Sequence, residues 1–298
     1  MLNIIIGILL ILLVWGNSAY AQEPSFEKAV ELSSAINSEH QETEFLISSN
    51  SDTLIFKRKM VDESPAELLL SIKNEYDTWG QPLVFPRSYR KRKSSLHVVG
   101  FSNQGYFYFL EKDNANNNQL YKQYCDNRFC LLHAKTVDIN LNGGVLQYAY
   151  VHPSDSIIVL SIASDEGDPS NEEELYVTTK GNDGLWGDPI HLGVTINSEK
   201  SEITPFLSLN KQRLFFSSNR PEGLGGYDIY YSDRLYDSWI LWTVPRRLDE
   251  SVNSSYDEKY FYLNQQSAYF ISNRNGNKNI YVSQIIEYDP LRGLDWEY

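Results

Sequence analysis

Three glutamates at equivalent positions of a repeated pattern are the first candidates for chemistry. Each follows the asparagine of an Asn-Ser pair by five residues: Glu42, Glu202 and Glu258, with Gln147 and His97 offered at this position by less regular repeats. A ring of carboxylates around a symmetry axis would suit a hard cation such as calcium. Because a feature present in every repeat usually serves the repeat, the sequence favours the other interpretation, in which each glutamate pairs with an arginine of its own repeat, such as Arg220 or Arg274.

The two cysteines are the second candidate for chemistry. Cys125 and Cys130 lie in the segment YCDNRFC, with four residues between them. A redox CxxC centre has two intervening residues, and a zinc site needs more ligands than one pair supplies. In an oxidising compartment such a pair closes a short loop. The sequence predicts a structural disulfide, with two free thiols as the alternative.

Motifs of nucleophilic and metal-dependent catalysis are absent from the sequence. It has no Gly-x-Ser-x-Gly elbow, and its five histidines form no HExxH motif. The segment Gly223–Gly226 lacks the Lys-Ser/Thr of a phosphate loop. A glycosidase needs two carboxylates beside the scissile bond, and no repeat departs from the pattern to supply them recognisably. The sequence predicts a non-enzymatic protein without a cofactor, with calcium binding and glycosidase activity as alternatives.

The N-terminus predicts export. Leu2–Trp15 is an almost unbroken apolar run, and Ala19-Tyr-Ala21 forms a small-x-small cleavage site. Residues 1–21 are therefore predicted to be a signal peptide and residues 22–298 the mature chain, without a membrane span after cleavage. An uncleaved anchor is the alternative, although the run is shorter than the ~20 residues of a typical span. We expect the protein in the periplasm, at the cell surface or secreted.

The overall charge argues against nucleic acid as a partner. The chain has 39 acidic and 26 basic residues, for a net charge of −13. An acidic surface repels phosphate backbones. The basic cluster Arg87–Lys93 lies between two repeats and is predicted to be a solvated loop.

The elements that position these residues recur about every 50 residues. Five short apolar runs follow polar turns: Asp52–Phe56, Gln104–Tyr108, Asp155–Val159, Gln212–Phe216 and Gln266–Phe270. A second apolar run follows each of them, as in Asp228-Ile-Tyr230. Because both landmarks keep the same period, they predict one repeated all-β unit.

The two ends of the chain complement each other. Val30–Ser38 matches the last strand of a repeat, and the final repeat lacks that strand after Ile280–Ser283. A strand donated across the ends closes a ring and leaves no long exposed edge. We therefore predict one all-β domain over residues 22–298, a five-bladed β-propeller closed by an N-terminal strand. Six blades are the alternative if Cys125–Asn140 contains a further unit.

The fourth repeat carries a family resemblance. Glu202–Arg220 followed by Gly225–Tyr230 resembles the WD40-like repeats of the TolB propeller type in bacterial envelope proteins, and Ser272–Arg274 with Asn279–Tyr281 repeats the pattern loosely. The resemblance implies an exported interaction scaffold with envelope proteins as partners. A carbohydrate-binding or glycoside-hydrolase propeller, acting on peptidoglycan or another glycan, is the alternative. A glycan site predicts clustered aromatics and paired carboxylates in a deep axial pocket, whereas a scaffold predicts a plugged channel.

Overall fold

The fold begins and ends in the same β-sheet. The computed structural model describes residues 23–48, 50–62, 64, 66–85, 96–112, 117–126, 129–130, 134–164 and 172–287. The described chain starts with two short strands, β1 (Ser25–Phe26) and β2 (Val30–Glu31). Both pair with the last strand, β22 (Asn279–Glu287). The described residues form no helix, so none of them provides a helical span long and apolar enough to cross a membrane.

The remaining strands follow in chain order. The first two blades contain β3 (Gln41–Ile47), β4 (Thr53–Lys59), β5 (Glu67–Ile72), β6 (Leu83–Val84), β7 (His97–Phe101), β8 (Tyr106–Lys112), β9 (Asn118–Asp126), β10 (Phe129–Cys130) and β11 (Lys135–Thr136). The next two contain β12 (Val145–Val151), β13 (Ile157–Ala163), β14 (Glu173–Thr179), β15 (Ile190–His191), β16 (Glu202–Leu207), β17 (Arg213–Ser218), β18 (Asp228–Asp233) and β19 (Arg246–Arg247). The last contains β20 (Glu258–Leu263) and β21 (Ser267–Ser272), completed by β22, β1 and β2.

These strands form five antiparallel sheets arranged as a β-propeller, which confirms the predicted fold. We number the blades I to V in chain order, with β3, β7, β12, β16 and β20 as the inner strands. The stretch Cys125–Asn140 contributes β10 and β11, and both pair with β9 of blade II. The six-bladed alternative is therefore wrong, because this stretch completes a blade and does not start one.

The Asn-Ser landmark explains how one blade is joined to the next. In blade IV, the side-chain oxygen of Asn253 accepts the Ile229 N–H at 2.8 Å, and its amide donates to the Ile229 carbonyl at 3.0 Å. Asn37 makes the same pair of bonds to Ile280, at 2.9 Å each. Because Ile280 belongs to blade V, the first asparagine of the pattern joins the two ends of the chain. The predicted closure by an N-terminal strand is confirmed.

The core lies between the blades, and aromatic side chains fill its centre. Phe206 of β16 has its ring centroid 5.1 Å from that of Tyr150 in blade III and 5.1 Å from that of Tyr262 in blade V. Phe215 stacks on Phe261 at 4.6 Å. Tyr150, Phe206 and Tyr262 belong to inner strands and line the central cavity, so their rings join three blades at the axis.

Three sequence-based predictions concern segments that the structure describes only in part. Residues 1–21 and the basic cluster Arg87–Lys93 lie outside the described residues, so the signal peptide and the solvated loop stay predictions. Cys125 and Cys130 are opposite each other in the β9–β10 pairing. The side chain of Cys130 lies outside the described part of the chain, so the disulfide also stays a prediction.

His152 is buried at the contact between blades III and IV and predicts a pH dependence of stability. Its Nδ1 accepts the Ser154 N–H at 3.2 Å, and its Nε2 lies 3.3 Å from the Leu209 carbonyl oxygen. Burial, reinforced by the positive charge of Lys211, lowers the pKa of His152. The unfolded chain therefore binds a proton that the folded chain does not, and the free energy of unfolding falls as pH drops below about 6.5.

We expect His152→Gln to reduce the fall in the free energy of unfolding at low pH, because the variant has no imidazole at this position to protonate. Urea unfolding at about pH 7.5 and pH 5.5 measures the difference for both proteins. The same difference in wild type and H152Q would contradict the assignment to His152.

Candidate functional site

The three predicted glutamates lie at the start of inner strands, each beside an arginine of its own blade. Glu202 Oε1 accepts from Arg220 Nη2 at 2.9 Å and from the hydroxyls of Ser198 and Ser218 at 2.7 and 2.8 Å. Arg220 also donates to the Ile196 carbonyl at 2.9 Å. The carboxylate is fully buried, and its partners tie the connection between blades to the second strand.

The other two glutamates have the same type of partner. Glu258 Oε1 lies 3.0 Å from Arg274 Nη2, and Glu42 Oε1 lies 2.9 Å from Arg58 Nε. Burial raises the pKa of Glu42 despite the opposing effect of Arg58. Among the described residues no three carboxylate, histidine or cysteine side chains form a group that could hold a metal ion. The structure thus brings each glutamate to its own arginine and not to the other two.

Strand pairing also identifies the equivalent residues in the irregular blades. Ile47, Phe101 and Val151 each pair with the start of the second strand of their blade. The residues five positions before Ile47, Phe101 and Val151 are Glu42, Leu96 and Leu146, which are therefore equivalent. The assignments of His97 and Gln147 are therefore wrong by one residue, because the pairing with the second strand, and not the loop length, sets the position.

A β-bulge interrupts every inner strand just after this position. The pairing shifts between Glu42 and Glu44 in blade I, and corresponding shifts occur in the other four blades. In blades IV and V the bulge includes residues with positive φ, Thr204 at 45° and Tyr260 at 58°. Bulges re-aim side chains. The residues two positions after Glu42 and its equivalents are Glu44, Val98, Tyr148, Thr204 and Tyr260, and all of them line the axial channel.

A charged cluster occupies one side of the channel. Glu44 is 2% exposed, and its two oxygens lie 3.2 Å from Lys57 Nζ and 3.1 Å from His97 Nδ1. Lys57 Nζ also donates to the Leu96 carbonyl at 2.9 Å. These contacts join blade I to blade II, and they leave His97 half-buried at the surface of the channel.

Two tyrosines face this cluster across the axis. The rings of Tyr148 and Tyr260 meet edge to face with centroids 6.0 Å apart. Burial raises the pKa of Tyr148, and the negative charges of Glu173 and Glu44 raise it further. Burial raises the pKa of Tyr260 well above its ordinary value, and Glu44 and the hydrogen bond to Tyr148 add to this effect. Both phenols therefore stay protonated and are hydroxyl donors at neutral pH.

A third tyrosine and a lysine extend this surface outwards. Lys259 Nζ lies 3.8 Å from the ring centroid of Tyr227. Burial lowers the pKa of Lys259, with a further contribution from Lys278, and Asp257 and Glu173 oppose this. Glu173 is half-buried, and its carboxylate has no hydrogen bond or ion pair among the described residues. We call the group Glu44, His97, Tyr148, Glu173, Tyr227, Lys259 and Tyr260 the axial mouth.

Below the axial mouth the channel is nearly filled. Its cavity holds about 50 Å³, which is room for a few water molecules. Phe45, Tyr150, Phe206 and Tyr262 are among the side chains that line it. The clustered tyrosines expected of a glycan site are present, but the deep pocket is not, and the nearly filled channel is the feature expected of a scaffold. A ligand would therefore contact the mouth and not enter the channel.

Glu44, Tyr148 and Tyr260 were not predicted from the sequence. The prediction used residues that recur in the repeats, whereas the residue at this position differs from one blade to the next. The variation at this position was itself a signal of function. A side chain that stabilises the blade is repeated in every blade, whereas a side chain that binds a ligand is not required to be repeated.

Comparisons with known proteins support the fold alone. No family model and no curated protein matches the chain. Similar solved structures include the catalytic domain of the Coprinopsis cinerea GH62 α-L-arabinofuranosidase, with a TM-score of 0.56, 10% identity and coverage of 89% of this chain and 98% of that one. An endo-arabinase from Bacteroides thetaiotaomicron has a TM-score of 0.51 at 13% identity, with coverage of 89% and 99%.

TolB from Acinetobacter baumannii is also similar, with a TM-score of 0.46 and 15% identity. The match covers 85% of this chain and 56% of the TolB chain. The propeller fold is thus shared with glycoside hydrolases, and the resemblance to the TolB type stays a prediction.

Proposed function

We propose that the protein is a carbohydrate-binding propeller whose glycan site is the axial mouth. The observation that carries this proposal is the convergence of three half-buried tyrosines and two carboxylates near the axis. Aromatic rings with a polar edge stack on sugars and also bond to their hydroxyls. The half-buried Glu173 supplies an acceptor, and Lys259 supplies a donor.

Binding fits the mouth better than hydrolysis does. The cavity of about 50 Å³ admits no sugar ring. Glu44 already contacts Lys57 and His97, whereas a glycosidase needs one carboxyl group that is free to give a proton. The non-enzymatic character expected from the sequence stays a prediction, which the release of reducing sugar ends would contradict.

The test is affinity electrophoresis through soluble polysaccharides. Arabinan is the first probe, because two solved structures of similar fold are named for arabinose-containing substrates. We expect Glu173→Gln to weaken retardation about tenfold, since it removes one charged acceptor. Glu174→Gln is the matched control, because the Glu174 carboxylate contacts Tyr176 and His191 and not the mouth. Equal retardation of E173Q and E174Q would contradict the proposal.

An exported interaction scaffold of the cell envelope is the second candidate. The tips of three equivalent loops expose apolar side chains at the end of the propeller opposite the mouth, with exposures of 78% for Tyr76, 68% for Leu185 and 91% for Tyr236. Exposed apolar groups favour a protein partner. Wild-type protein that is retarded by none of the polysaccharides would favour this candidate over the first.

A further inference from the structure

A polar groove of about 510 Å³ lies where blade V meets blade I. Its lining comes from the turns after β3 and β20, the loop after β5, and strands β2 and β22. These turns follow the ends of the inner strands, whereas the axial mouth lies near their starts. The volume falls within the roughly 300–1,000 Å³ of small-molecule sites. We call it the closure groove.

The groove lies beside the one blade whose third and fourth strands are not consecutive in the chain. In blades I, III and IV the loop after the third strand covers the first turn of the blade, through bonds of 2.7 to 2.9 Å from Lys73, Lys180 and Arg234 N–H groups to turn carbonyls. The third and fourth strands of blade V come from opposite ends of the chain, so no loop joins them. The turn at Asn264–Gln266 receives the equivalent bond from the Ile285 N–H, at 2.9 Å to the Gln266 carbonyl, and its residues line the groove.

The lining combines two aromatic rings, those of Trp79 and the buried Tyr269, with many hydrogen-bonding groups. Trp79 is half-buried, with Lys73 Nζ 5.2 Å from its ring centroid. The amide and hydroxyl groups belong to Asn50, Asn74, Thr78, Asn264, Gln266 and Gln284. Such groups donate and accept at once, which suits ligands with many hydroxyls.

The charges of the groove select against anions. Its lining includes the carboxylates of Glu31, Asp52 and Asp77 and one ammonium group, that of Lys73. Lys73 Nζ is already paired with Asp77 at 2.8 Å. Uronates and phosphorylated ligands are therefore repelled, and an uncharged ligand is favoured.

We propose that the closure groove is a second saccharide site, which binds a neutral glycan chain and stacks one sugar ring on Trp79. It takes the same class of ligand as the proposed function but uses none of the residues of the axial mouth. Each site therefore succeeds or fails on its own variants.

Trp186 provides a matched control for Trp79. Both tryptophans bridge to the lysine that starts their loop, Trp79 to Lys73 and Trp186 to Lys180. Lys180 Nζ lies 4.7 Å from the Trp186 ring, so both rings also share the cation contact. Trp186 does not line the closure groove. Replacing either tryptophan with alanine removes the same type of loop contact. Only Trp79→Ala also removes the ring on which a sugar would stack in the closure groove.

The experiment is affinity electrophoresis through neutral arabinan, xylan and mannan, with polygalacturonate as the charged comparison. In a Y148A/E173Q background, which disables the axial mouth, we expect retardation by a neutral polysaccharide to persist. Adding Trp79→Ala should weaken it about tenfold, and adding Trp186→Ala should leave it within about twofold. Equal effects of the two substitutions, stronger retardation by polygalacturonate, or no residual retardation would each overturn the proposal. If E173Q has no effect but W79A does, the axial mouth fails and the groove stands.

Discussion

Replacing Asn37 with alanine is expected to lower the free energy of unfolding by about 3 kcal/mol. The Asn37 amide and carbonyl groups bond to Ile280 N–H, Ile280 C=O and the Leu32 carbonyl at 2.9 to 3.1 Å. Alanine leaves these buried backbone groups without partners, and each unsatisfied group costs about 1–3 kcal/mol. The same bonds support the closing strand, so their loss also weakens its pairing with β22. Urea unfolding measures the first effect, and hydrogen exchange measures the second.

Asn253 is the control that separates these effects. It bonds to Ile229 and Leu248 with the same geometry, but between consecutive blades of a continuous chain. We expect Asn253→Ala to lose a similar free energy of unfolding without faster exchange of the β22 amides. Protection of β22 that is equal in the two variants would contradict the closing role of Asn37.

Replacing Arg220 with alanine is expected to cost about 3–5 kcal/mol of stability, because it leaves the buried Glu202 carboxylate without its cation. The guanidinium group also lies between two rings, 5.4 Å from the Phe216 centroid and 4.8 Å from the Tyr230 centroid. Its loss therefore removes packing as well as charge. Chemical denaturation measured by tryptophan fluorescence reports the change.

A double variant tests whether the unpaired charge dominates. Removing both charges together, in Glu202→Gln with Arg220→Met, should restore most of the lost stability, because a neutral pair avoids the desolvation of a lone carboxylate. Stability of R220A within about 1 kcal/mol of wild type would show that water reaches Glu202 and would contradict the burial argument.

Much of the architecture was predictable because it depends on local patterns. The alternation of the apolar runs indicates strands, and their period of about 50 residues sets the number of blades. The Asn-Ser landmark at residue 37 repeats the pattern of Asn197 and Asn253 and bonds to Ile280 of blade V in the structure. The pairing of each glutamate with an arginine was also available from the sequence, because Glu202 and Arg220 recur as Glu258 and Arg274.

The axial mouth was not predictable in the same way. The direction of Glu44, Tyr148 and Tyr260 depends on a bulge in each inner strand, and a shift of one residue turns a side chain to the other face. The assignments of His97 and Gln147 went wrong for this reason. A pattern read along the chain does not contain the register between two strands.

The sequence by itself therefore determined the acidic, all-β character of this protein, its five repeats and the way in which the ring closes, because these are properties of composition and period. Only the tertiary structure decided which side chains meet. Glu44 and Tyr260 come from opposite halves of the chain and contact the same cavity because the ring closes. The closure groove also depends on the tertiary structure, since its lining comes from blades V and I, which are far apart in the sequence.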